Sequence, residues 1–198
     1  MELGFERTEI PHRLIFRDTD TVIDLLPFGQ IEEDSTVRFI DREVEISVIG
    51  FKEVSGSVTE IEIEDTSIKV SPMAGIFILK LISWTEKPER TKDFEDIQFI
   101  LNNYFELYQD RFYAEHLDCI DEIPSEYFQL IAGARLLGRD MNPILARSRK
   151  LEAQIINIID NHLKGRLGAF KGHSIDFNPT LEEQVLQHIN KGISESIS

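Results

Sequence analysis

The sequence predicts an α+β fold, with a β-rich first part over residues 1–88 and a helical part over residues 89–198, packed as one unit. Three observations predict it. Up to Val70 the apolar residues fall in short runs of β-branched and aromatic types, set apart by turn-forming clusters. From Met73 onward the apolar spacing becomes helical. The chain has 198 residues, 41% hydrophobic and 29% charged, which suits a packed core and argues against a disordered chain.

The elements follow in order. Residues 13–17 (RLIFR) and 21–26 (TVIDLL) flank Asp18-Thr19-Asp20 and form a hairpin. Residues 36–40 and 44–49 form a second pair around Asp41-Arg42. Residues 58–64 (VTEIEIE) alternate apolar and charged, as a strand with one wet face does, and residues 68–70 make a short strand that stops before Pro72. Residues 73–84 (MAGIFILKLISW) are apolar on nearly every side and read as a buried helix carrying one placed cation, Lys80. After Pro88, Thr91 is the expected N-cap of a helix over residues 92–103. Further helices are expected over residues 105–119, 125–137, 143–163 with a break near Arg147, and 181–191. Gly165, Gly168 and Gly172 mark a loop, and residues 194–198 are expected to fray. No internal repeat is present.

Composition narrows the function classes. Lys and Arg number 21 against 36 Asp and Glu, a net charge of −15, which disfavours non-specific binding to nucleic acid or anionic membrane. A local basic groove is conceivable only along Arg135, Arg139, Arg147, Arg149 and Lys150, whose other reading is a solvated helical face. No apolar run approaches the roughly 20 residues that span a bilayer, so no membrane association is expected. The N-terminal residues lack the pattern of a signal peptide. Cys119 is the single cysteine, which leaves no internal disulfide and points to a cytoplasmic protein.

Two groups of residues carry candidate chemistry. Asp24 stands in Val22-Ile23-Asp24-Leu25-Leu26 and shares a strand face with two core-type residues. A carboxylate there either holds a metal ion, faces water from an edge strand, or is satisfied by Arg13 across the hairpin. The second group is Lys80 with Asp93 and Asp96, the acids lying three apart on one helical face. It reads either as a charged cluster that orients phosphates or as an ion pair that fixes helix packing. Asp18-x-Asp20 has metal-ligand spacing but sits in a turn. His12, His116, His162, His173 and His188 show no ligand spacing, and residues 164–172 (KGRLGAFKG) read as a connector. Cys119 reads as a core thiol.

The strings PHR at 11–13, TVIDLLPFG at 21–29 and VIGFKE at 48–53 resemble a family of bacterial nucleotidyltransferases related to abortive-infection type toxins. LKLISW at 79–84, KDFEDI at 92–97 and ARLLGRD at 134–140 continue the resemblance in order. It runs from about Gly4 to about Leu145. It implies a nucleotidyltransferase-like mixed sheet flanked by helices. It also implies Mg²⁺-dependent transfer of a nucleotidyl group from a nucleoside triphosphate to an RNA, protein or small-molecule acceptor. Asp24 matches a metal carboxylate, Lys80, Asp93 and Asp96 match supporting catalytic residues, and Arg13 and Lys80 are assigned to the nucleotide. The family's Gly-Ser and Asp-x-Asp motifs precede the segment matching Gly4-Phe5-Glu6, so a truncated or degenerate member is expected. The alternative is a non-catalytic interaction protein, paired with an antitoxin-like partner or with a second copy as a homo-oligomer.

Overall fold

The computed structural model describes residues 4–39, 43–166 and 179–195. The chain forms two compact units, residues 1–52 and 53–198. The division falls after Lys52, so the third hairpin and the first long helix, grouped by sequence with the β-rich part, belong to the helical unit.

In the first unit, β1 (Phe5–Arg7), β2 (Arg13–Phe16) and β3 (Thr21–Asp24) form an antiparallel sheet in that order. The β2–β3 register pairs Arg13 with Asp24 and Leu14 with Ile23. Asp20 takes a left-handed φ of 54° at the turn, a conformation that a short polar side chain tolerates. Strands β4 (Thr36–Phe39) and β5 (Val44–Ser47) form the second hairpin, whose Asp41-Arg42 turn lies outside the described residues. Val37 and Val48 are the only fully buried apolar residues described in this unit.

The short helix α1 (Phe51–Ser55) leads into the second unit and the hairpin β6 (Thr59–Ile63) and β7 (Thr66–Val70). All ten of its strand residues are exposed, not the single wet face that alternation predicts. Among the described residues the strands make three separate antiparallel sheets, of three, two and two strands. The single mixed sheet implied by the resemblance is not what they form. Each paired strand follows its neighbour after a short connection, whereas parallel pairing needs a crossover of a dozen or more residues.

The core lies among the helices. Helix α2 (Met73–Glu86) buries Phe77, Ile78, Leu81, Ile82 and Trp84. Residues expected as two helices form one, α3 (Thr91–Glu115), kinked at Tyr108 with φ −129° and ψ 18°. Thr91 is its first residue rather than its cap; Arg90 holds the cap position and makes no side-chain cap bond. A 3₁₀ segment follows at Leu117–Glu122 and buries Cys119 as the core thiol expected. Helix α4 (Phe128–Leu145) starts three residues later than Ser125, because Tyr127 has a left-handed φ of 64° that no α-helix continues. Pro143 lies inside the last turn of α4 instead of opening a new helix. The expected break near Arg147 is present, and Ser148 caps α5 (Arg149–Asn157) by accepting from the Leu151 N–H at 3.3 Å. A π-helical turn, Ile158–Leu163, extends it. Gly168 and Gly172 of the expected loop lie outside the described residues, which resume with α6 (Pro179–Ser194).

Helices α4 and α6 cross at two glycines. A Cβ on Gly138 would stand 2.1 Å from the Ile189 carbonyl oxygen, and one on Gly192 would stand 2.3 Å from that of Arg135. No helix among the described residues is long and apolar enough to cross a membrane.

Candidate functional site

Helices α2 and α3 bring Lys80, Asp93 and Asp96 together. Lys80 lies on the last two turns of α2, and both acids lie at the start of α3, where the helix dipole favours negative charge. The Lys80 ammonium bridges the two carboxylates, with Nζ 2.9 Å from Asp93 Oδ1 and 2.7 Å from Asp96 Oδ2. The second Asp93 oxygen accepts from Ser83 Oγ at 2.9 Å and lies 3.3 Å from Arg90 Nε. Trp84 and Phe94 stack beside the cluster with centroids 5.3 Å apart and brace the two helices.

Asp93 is 2% exposed, Lys80 29% and Asp96 39%, so the group runs from the core outward to solvent. Burial works against the Asp93 charge, but hydrogen bonds from Lys80 and Ser83 outweigh it and hold the carboxyl below its ordinary range. Burial likewise pulls Lys80 down, and its bonds to Asp96 and Asp93 more than compensate, raising it above an ordinary lysine. Lys80 therefore stays an ammonium. It can donate hydrogen bonds and stabilise negative charge, but it is not a proton acceptor near neutral pH.

In the first unit, β2 and β3 set Arg13 against Asp24. The guanidinium grips the carboxylate in a two-bond fork, Nε to Oδ1 at 2.7 Å and Nη2 to Oδ2 at 2.8 Å. The Arg13 bond lowers the Asp24 pKa against a small opposing effect of burial. The pair is about one-third exposed, so the apolar neighbours do not enclose the charge as the strand pattern suggests. Both Asp24 oxygens are committed to arginine. Among the described residues no group of three or more His, Cys, Asp or Glu is placed to hold a metal ion. As arranged, these side chains do not fit the Mg²⁺ that the resemblance implies.

Of the cations at 135–150, Arg135 and Arg139 form neither a basic groove nor a solvated face, whereas Arg147, Arg149 and Lys150 are exposed as a solvated face has them. Arg135 is 1% exposed and Arg139 is nearly as buried. Arg135 pairs with Glu122 and Glu195, and Arg139 with Asp118 and Glu195. Arg147 reaches the Gly56 carbonyl at 2.9 Å. Glu195, expected to fray, is thus tied to α4; residues 196–198 lie outside the described residues. A second unforeseen group joins Tyr104, whose hydroxyl donates to Asp140 Oδ2 at 2.6 Å, to Arg111, which also bonds Asp140 and lies over the Tyr108 ring. The one available signal was ARLLGRD, in which two arginines four apart share the face of an otherwise apolar helix.

No protein-family model, curated protein or solved structure matches the chain.

Proposed function

We propose that the chain is a nucleotidyltransferase-family protein in which Lys80, with Asp93 and Asp96, supports transfer of a nucleotidyl group from a nucleoside triphosphate to an acceptor hydroxyl. One observation carries this reading. Three of the residues that the sequence resemblance singles out are spread over two helices, yet both acids lie within 2.9 Å of Lys80. Lys80 is the charged donor of the group, held in position by its two acids, and in that role it faces the negative charge of a phosphate. Asp93 and Ser83 fix its orientation from the buried side. Asp24 is engaged by Arg13, and among the described residues no group of three or more His, Cys, Asp or Glu is placed to hold a metal ion beside it.

The test is thermal unfolding with a nucleoside triphosphate, with and without Mg²⁺. A ligand at about tenfold over its Kd adds roughly 1.4 kcal/mol, a rise of about 3–6 °C for a chain of this size. Asp96→Asn, at the exposed end of the cluster, is expected to reduce the rise. No shift at millimolar triphosphate overturns the reading.

A second reading, a protein-interaction role, is favoured by the β6–β7 hairpin. Ile61, Ile63, Ile68 and Val70 lie on one face of it and are 40–52% exposed, while Glu60, Glu62 and Lys69 take the other face. An apolar face on an isolated two-stranded hairpin is a surface that proteins tend to cover. The partner is an antitoxin-like protein or a second copy. Light scattering that reports a strict monomer removes the self-association arm.

A further inference from the structure

The Arg135–Arg139 pair lies on α4 and is independent of the Lys80 cluster. The two guanidinium groups close on one carboxylate. Arg135 Nε donates to Glu195 Oε2 at 2.8 Å, Arg139 Nε donates to the same oxygen at 2.7 Å, and Arg135 Nη2 bonds Oε1. The remaining donors of the two arginines go to other acids, which are themselves exposed. Asp118 forks Arg139 at 2.8 and 2.5 Å, and Glu122 takes Arg135 Nη2 at 3.1 Å. His116 Nδ1 lies 3.0 Å from Arg139 Nη1, and His188 Nδ1 lies 3.5 Å from Arg135 Nη1.

Three features distinguish this from an ordinary packing ion pair. First, both arginines are more than nine-tenths buried, whereas the Glu195 side chain is 27% exposed, so solvent reaches the carboxylate that joins them. Second, Glu195 stands one residue beyond the end of α6, its backbone held by a single 3.3 Å bond to the Gly192 carbonyl, while Asp118 and Glu122 belong to the 3₁₀ segment at α3's end. Third, removing Glu195 alone would leave three donors, two from Arg135 and one from Arg139, aimed at one point from two buried guanidinium groups. Forked guanidinium groups converging in that way are the means by which proteins hold carboxylates and phosphates.

We propose that Arg135 and Arg139 form an anion-receiving site whose resting occupant is the Glu195 carboxylate, and that a phosphate group takes the site when Glu195 swings out. The tail carboxylate is then an intramolecular competitor, and ligand occupancy reports as release of the end of α6.

The experiment uses the full chain, with inorganic phosphate as probe and chloride at matched ionic strength as control. Glu195→Ala is expected to lower Tm, and phosphate to restore roughly 4 °C that chloride does not restore. Adding Arg135→Lys, which keeps the charge and loses the fork, is expected to abolish the phosphate-specific part. Equal responses to phosphate and chloride overturn the proposal, since only screening then acts. If Glu195→Ala does not fold, hydrogen exchange of wild-type residues 192–195 decides. Faster exchange in saturating phosphate supports displacement, and unchanged exchange overturns it.

Discussion

The residues that carry charge into the core set the sharpest expectations. Asp93 is buried against Lys80, Ser83 and Arg90, so Asp93→Ala removes the acceptor of Ser83 and Arg90 and leaves the part-buried Lys80 ammonium with Asp96 alone. The expected loss is about 2–4 kcal/mol, read as a Tm drop of roughly 5–15 °C. Asp24→Asn breaks a fork of equal geometric quality, but at a site one-third exposed, and is expected to cost less than about 1 kcal/mol. The sequence points the other way: Asp24 stands among apolar neighbours and Asp93 between Lys92 and Phe94, yet solvent reaches Asp24 and not Asp93. The histidines set the pH response. Burial, and then the nearby Arg139 and Arg135, hold His116 and His188 below the ordinary imidazole pKa. A depressed imidazole contributes stability that is present above its unfolded pKa, about 6.5, and is lost as pH falls below it. Asp93 adds a loss of the same sign below about pH 4. Thermal scans from pH 7.5 to 5 are therefore expected to show falling Tm, and His188→Gln to flatten part of that fall.

At the scale of elements, the crossing of α4 and α6 is the contact least able to yield. Gly138→Ala drives a methyl into backbone rather than into a movable side chain. The expected cost is about 3 kcal/mol, seen as a shift in the denaturant midpoint. Hairpins and helices were largely legible in the sequence, because period and turn chemistry act over a few residues. Thus TVIDLL paired with RLIFR, and MAGIFILKLISW became α2. The boundaries were less legible. Nothing in the local sequence breaks the chain between Asn103 and Phe105, so two expected helices fused, and the bend appeared at Tyr108 instead. Ser125 has the look of a helix start, but the left-handed Tyr127 decides where α4 begins. In the candidate site, the meeting of Lys80 with Asp93 and Asp96 was readable from helical spacing and a short connection. The fate of Arg135 and Arg139 was not, because their acids come from Asp118, Glu122 and Glu195, contacts that only tertiary packing creates.

On the scale of the whole molecule, the two units differ in what can hold them together. Among the described residues the first buries only Val37 and Val48 of its apolar side chains, while the second holds the core built along α2 to α6. A fragment of residues 53–198 is expected to unfold cooperatively on heating, and a fragment of residues 1–52 to give no transition, since so small a core does not offset chain entropy. Circular dichroism of the two fragments checks this, and a cooperative melt of residues 1–52 would contradict it. The α4–α6 crossing also bears on synthesis. Until Gly192 has emerged from the ribosome, nothing can seat against Gly138, and the two arginines of α4 remain hydrated. Roughly fifty residues separate the ends of the two helices, so at 5–20 residues per second the nascent chain waits roughly 3–10 s with that face unsealed. During that interval the growing polypeptide presents the Gly138 face of α4 to whatever chaperone or neighbouring chain is at hand.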